Sequence, residues 1–109
     1  MIYKKNNKNL KLYKLAKKII PGGNHLLSKR PELYLPDGWP TYYSKAKGAY
    51  VWDLNNNKYL DMLFAVGTNV LGYANTKIDS KIYYALKKSN MSSLNSFEEV
   101  YLAKELLKK

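Results

Sequence analysis

An α+β chain is predicted: a helix, a long loop, an antiparallel β-hairpin or meander, a helix, a second loop and a last helix. Three observations carry that prediction. Apolar residues recur at helical spacing over residues 9–20 and again after residues 76 and 96. Residues 49–54 alternate with the two-residue period of a strand. Directly after them stands an Asn triplet suited to a tight turn. The chain has 109 residues, 46% of them apolar or aromatic, which suits one small domain and excludes two enzyme domains.

Leu12, Leu15, Ala16 and Ile19 fall at i, i+3, i+4 and i+7, while Lys11, Lys14, Lys17 and Lys18 lie off that stripe. Residues 9–20 therefore read as an amphipathic helix, and at about three turns it must dock its stripe on something. Asn9 is the expected cap. Pro21-Gly22-Gly23 is the expected stop, because Pro lacks an amide and Gly accepts the angles of the exit. From Asn24 to Ser44, Pro31, Pro36, Gly38 and Pro40 interrupt any helix or central strand, so an ordered loop or extended arm is expected.

In the strand that follows, Tyr50, Trp52 and Leu54 share one side and Ala49, Val51 and Asp53 the other. Asn55-Asn56-Asn57 turns the chain, since Asn tolerates left-handed backbone angles. Lys58–Met62 returns as the second strand, and Leu63–Val66 extends it or forms a third. Gly72–Asn75 reads as a turn. Thr76 caps a helix striped by Ile78, Ile82, Ala85 and Leu86 and finishing at Ser89-Asn90. After a polar loop over Met91–Asn95, Ser96 and Glu99 have capping-box spacing. They open a helix with Val100, Ala103, Leu106 and Leu107 on one face, still running at Lys109, which is the look of a truncated chain.

The absence of cysteine removes disulfides, zinc-thiolate sites, iron–sulfur ligation and thiol catalysis. With one histidine, His25, a His-based metal site or a Ser-His-Asp triad is hard to build, and no metal is expected. Neither GxGxxG nor GxxxxGK[ST] occurs. No signal peptide and no apolar run of about 20 residues is seen, so a cytoplasmic protein without a membrane partner is expected.

The formal net charge is +11. Residues 1–31 hold nine basic residues and no acid, whereas residues 32–109 hold ten and eight, so the excess belongs to one N-terminal segment. Such a segment can attract nucleic acid, and Trp39, Trp52, Tyr42, Tyr43 and Tyr50 can be drawn as a stacking platform. A small basic nucleic-acid-binding or interaction module is therefore the alternative reading. Against it, the chain uses eighteen Lys and one Arg, together with eleven Asn and eleven Tyr. That pattern matches a coding bias better than a phosphate-reading surface, which leans on Arg. No nucleic-acid partner is expected, and Tyr50 and Trp52 are expected to pack beneath the helices.

The run Lys47-Gly48-Ala49-Tyr50-Val51-Trp52-Asp53-Leu54-Asn55-Asn56-Asn57-Lys58-Tyr59-Leu60-Asp61 resembles the "KGAxxWDxDGNxYxD" stretch near the start of class III pyridoxal-phosphate aminotransferases. Ala16 to Gly23 resembles the "AxxxxPGG" lead of glutamate-1-semialdehyde aminomutases, and Leu71-Gly72-Tyr73-Ala74-Asn75 is similar to "LGHAHP". Asn90 to Asn95 and Glu98 to Ala103 resemble the "NMSTLN...EEVxLAE" of a glutamate-1-semialdehyde-like branch. Order and spacing agree over residues 10–109. The chain departs from the pattern at Asn56, where many members have Gly, at Tyr73 and Thr76, where they often have His and Pro, and at Val66, where authentic aminomutases carry Trp.

The resemblance implies a cytoplasmic, homodimeric α/β enzyme of fold type I that transfers an amino group between a small-molecule donor and a carbonyl acceptor, as aminotransferase or aminomutase. Residues 1–8 would be a basic tail, 9–75 part of the N-terminal small domain, and 76–109 helices leading toward a large domain that binds pyridoxal 5′-phosphate. The Schiff-base lysine and the cofactor contacts of the family lie beyond the matched stretch, so no catalytic and no cofactor-binding residue is assigned here. The chain alone is expected to be inactive. Gly23, Asn24, His25, Gly67 and Asn69 are the candidates for a substrate recess, and Ser92, Ser93 and Asn95 for a dimer or active-site loop. Asp53 and Asp61 flank a hairpin of the family's non-catalytic domain and are not expected to act as an acid–base pair.

Overall fold

The computed structural model describes residues 7–108, so residues 1–6 of the expected basic tail lie outside the described residues. The chain divides into two compact units, Met1–Asn75 and Thr76–Lys109.

In the first unit α1 spans Lys8–Ile19. Its cap is Asn7, whose side chain accepts from the Leu10 amide at 3.2 Å, not Asn9. The shift releases Asn9 for tertiary bonding: it is 2% exposed, donates from Nδ2 to Asp53 at 3.1 Å and accepts from the Tyr42 amide at 3.2 Å. The buried face of α1 is Asn9, Tyr13 and Ala16, so the expected stripe is corrected. Leu12, Leu15 and Ile19 are exposed and only Ala16 is shared. The reason is polar: Asn9 and Tyr13 find Asp53, Tyr42 and Glu32 on that side, and buried polar groups need such partners.

The helix stops as expected at Pro21–Gly23, a short 3-10 turn in which Gly22 and Gly23 take φ of 75° and 78°. A Cβ on Gly23 would lie 2.8 Å from the Lys17 side chain and 2.9 Å from the Tyr13 ring, so only glycine lets the exit fold back on α1. Leu27–Lys29 and Pro31–Leu33 form two further 3-10 turns.

A three-stranded antiparallel meander follows, β1 (Tyr43–Lys47), β2 (Tyr50–Asp53) and β3 (Lys58–Leu60), in that spatial order. Lys45, Trp52 and Lys58 stand opposite one another across the sheet, as do Ala46, Val51 and Tyr59. The third strand thus precedes the hairpin, starting in the last two residues of the expected loop, Tyr43 and Ser44, and does not follow it at Leu63–Val66. Phe64, Ala65 and Val66 have φ of 46°, 48° and 60°, angles that no strand accommodates. Asn56 in the Asn triplet has φ of 63°, as the turn requires.

In the second unit α2 spans Thr76–Leu86 and α3 spans Glu98–Leu106. Thr76 is the first helical residue, α2 ends short of Ser89-Asn90, and α3 ends before Lys109. The expected capping box is corrected as well. Ser96 donates to the Glu98 carboxylate and accepts from the Glu98 amide, in place of an exchange with Glu99. Neither helix buries a residue. Among the described residues no helix is long and apolar enough to cross a membrane.

Candidate functional site

The hairpin is organised by Asp53, which is 3% exposed. One carboxylate oxygen accepts from the Asn55 and Asn57 amides at 2.8 and 2.9 Å. The other accepts from Asn57 Nδ2, Asn9 Nδ2 and the Tyr59 hydroxyl at 2.9, 3.1 and 3.2 Å. Burial disfavours the charge, but these donors outweigh it and hold the carboxyl below its usual range. With every lone pair engaged, Asp53 is a structural anion and not a proton carrier.

Asp61 has a different task. Burial again works against its charge, and the Tyr73 phenol with the Leu63 and Phe64 amides overcomes it, so its carboxyl also lies below the usual range. Oδ1 accepts those two amides at 2.8 and 3.2 Å, and Oδ2 accepts the Tyr73 hydroxyl at 2.5 Å. Tyr73 is joined to the meander by an antiparallel bridge to Gly48, with both backbone bonds at 2.9 Å. Its neighbour Gly72 has φ of 86°, and a Cβ there would meet the Gly48 Cα at 3.3 Å, so this crossing requires glycine.

Between those two anchors the loop carries Gly67 and Asn69. Phe64, Ala65, Val66 and Gly67 all have positive φ, at roughly 1–2 kcal/mol for each non-glycine residue. Bonds from Val66 N to Leu63 O at 2.9 Å, Thr68 Oγ1 to Ala65 O at 2.8 Å and Asn69 N to Phe64 O at 3.2 Å maintain the turn. Gly67 is exposed with open space where a Cβ would stand, and Asn69 is half-buried.

The other expected recess residues lie after α1. Gly23 is buried, His25 is exposed, and both side-chain amide atoms of Asn24 are buried without a hydrogen-bond partner, as is Arg30 Nε. Among the described residues no hydrogen bond ties Gly23, Asn24 or His25 to Gly67 or Asn69. A cavity of about 220 Å³ lies elsewhere, lined by Tyr13, Lys17, Glu32, Asp37 and Trp39 among others. There Glu32 accepts from the Tyr13 hydroxyl at 2.8 Å and Lys17 Nζ at 3.3 Å, and burial together with Glu32 pushes the Tyr13 phenol up. In the second unit Ser92 Oγ accepts from the Leu94 amide at 3.1 Å, and Ser92, Ser93 and Asn95 are exposed.

Every described lysine is exposed, whereas a Schiff-base lysine works from a desolvated or charge-tuned site. Lys17, the lysine on the cavity, already pairs with Glu32. Lys58 Nζ lies 3.8 Å from the Tyr50 ring centre, and Lys45 Nζ 4.6 Å from that of Trp52.

No protein-family model matches the chain. A glutamate-1-semialdehyde 2,1-aminomutase of Wigglesworthia glossinidia brevipalpis is 40% identical over 95 residues, covering 86% of this chain and 21% of the relative. A 3-aminobutyryl-CoA aminotransferase of Cloacimonas acidaminovorans is 31% identical over 80 residues, covering 73% and 19%. Among solved structures, the pyridoxal-phosphate internal aldimine form of FumI from Sphingopyxis sp. MTA144 superposes with a TM-score of 0.78 at 28% identity, over 91% of this chain and 23% of that one. The chain spans about a fifth of the length of the curated relatives it matches.

Proposed function

From a chain whose sequence and fold are those of the N-terminal segment of class III pyridoxal-phosphate aminotransferases, in the glutamate-1-semialdehyde aminomutase-like branch, we propose the following role. The chain acts as the N-terminal small-domain segment of an enzyme that moves an amino group between a small-molecule donor and a carbonyl acceptor. Pyridoxal 5′-phosphate supplies the electron sink for that chemistry, and it is held by residues outside this chain. Gly67 and Asn69, with Gly23, Asn24 and His25, border the substrate recess, and Ser92, Ser93 and Asn95 belong to a loop at the dimer or active site. The enzyme works as a cytoplasmic homodimer with no nucleic-acid or membrane partner.

The observation that carries this reading is the agreement of fold and sequence along nearly the whole chain with enzymes about four times its length. The lysine ammoniums over Tyr50 and Trp52 support it against the nucleic-acid alternative, because they occupy ring faces on which bases would stack.

The test is a graft in which the whole chain replaces the N-terminal fifth of the Wigglesworthia aminomutase. The graft is expected to fold, hold pyridoxal phosphate and retain aminomutase turnover. The chain alone, mixed with pyridoxal phosphate, is expected to show no aldimine absorption after dialysis. A graft that is inactive, beside an active control graft from a second aminomutase, refutes the role.

A further inference from the structure

Two observations around residues 61–73 have no use in holding the meander together. The first is the run of left-handed angles at Phe64, Ala65 and Val66, which includes a β-branched residue that is 88% exposed and gains nothing by burial there. Such angles persist only where the surroundings over-determine them, and they gather at ligand-bearing segments. The second is the set of side-chain bonds that do the determining. Asp61, at the start of the loop, caps the amides of Leu63 and Phe64 with one oxygen. With the other it takes the hydroxyl of Tyr73, at the loop's end. Through Asp61, one hydroxyl thus ties the start of the loop to its end. Burial and the Asp61 charge push that phenol up to about 12, so it keeps its proton across the neutral range.

We infer that Asp61 and Tyr73 are positioning residues: a phenol–carboxylate latch that holds the left-handed 64–67 turn and thereby sets where Gly67 and Asn69 stand in the recess. The inference rests on the functional reading above for the identity of the recess, and on the hydrogen bonds alone for the latch. Neither residue touches substrate. The latch determines which backbone groups the loop presents and how rigidly.

Amide hydrogen exchange on the 109-residue chain is the first measurement. Tyr73→Phe, which deletes one oxygen, is expected to raise exchange at Val66, Gly67 and Asn69 by at least about tenfold while leaving the amides of α1 and β2 unchanged. Asp61→Ala is expected to do the same, and the double variant to do no more than Asp61→Ala, because the two residues act as one unit. In the active graft, Tyr73→Phe is expected to raise KM about tenfold with kcat within about twofold, a split that loss of folded enzyme would not produce. Unchanged exchange in the loop, or additive effects of the two substitutions, overturns the latch. Altered exchange with an unchanged KM overturns the positioning role. An inactive unsubstituted graft would instead refute the functional reading, and the positioning role would fall with it.

Discussion

Replacing Asp53 by Ala removes the acceptor of five hydrogen bonds at one stroke, and the structure lets the cost be built donor by donor. Asn9 Nδ2 belongs to a residue 2% exposed, so it cannot turn to water, and stranding it costs about 1–3 kcal/mol. The Asn55 and Asn57 backbone amides and Asn57 Nδ2 lie at the hairpin turn, where Asn55 is half-buried and Asn57 exposed. Water recovers most of their loss, leaving roughly 1 kcal/mol between them. The Tyr59 hydroxyl, on a residue 36% exposed, re-solvates at little cost. The total is about 3 kcal/mol, a large share of the ~5–15 kcal/mol that holds an ordinary domain. Urea denaturation followed by the fluorescence of Trp39 and Trp52 should show it as a fall in midpoint of about 1–3 M. The pH dependence has a defined sign. Asp53 titrates below its usual range when folded, so its contribution is complete above that range and is lost as pH falls through the folded value. The wild-type chain should therefore weaken below about pH 4, and Asp53→Asn should lack that component while losing roughly half as much stability at neutral pH as Asp53→Ala. An Asp53→Ala chain within about 0.5 kcal/mol of wild type would refute the assignment of Asp53 as the centre of the hairpin.

Asn7→Ala should cost about 1 kcal/mol and loosen amide exchange at Leu10 and Lys11, the amides that bond to the Asn7 side chain and carbonyl, whereas a cap at Asn9 would leave them unaffected. Val66→Gly should leave the chain as stable as before or up to about 1 kcal/mol more stable, since relief of the left-handed angle exceeds the entropy that glycine adds to the unfolded chain; a clear destabilisation in thermal melts would deny the angle. Gly72→Ala should cost about 1–3 kcal/mol, more than Gly48→Ala, because both glycines have positive φ but only the Gly72 Cβ would meet backbone; equal losses in the same melts would remove the Gly48–Tyr73 crossing from the fold.

What the sequence disclosed follows from the range of the interactions involved. Pro21-Gly22-Gly23 and the Asn triplet act through local backbone angles, and both stand where they were expected. The stripe of α1 did not, because hydrophobic period assumes that the helix buries its leucines. Here Asn9 and Tyr13 have partners 44 and 19 residues away, which no local pattern encodes. β1 was missed for a similar reason: Tyr-Ser-Lys-Ala-Lys has little apolar alternation, and its place comes from pairing with β2. The left-handed turn at Phe64–Val66 carries only one glycine, Gly67, as a signal, and its cause is the Asp61–Tyr73 pair. That pair lies 12 residues apart and could be found only from the fold.

The same geometry explains why the family is so legible in this chain. The run Lys47–Asp61 is what makes the chain recognisable, and five of its polar and glycine positions have a structural task. Gly48 pairs with Tyr73, Asp53 gathers the hairpin, Asn57 and Tyr59 donate to it, and Asp61 caps the next loop. None of these is free to carry a proton or hold a cofactor, since each is already engaged in closing a turn. The motif is therefore a folding signature: its side chains close the hairpin and cap the loop that follows, through bonds that join residues near one another in the chain.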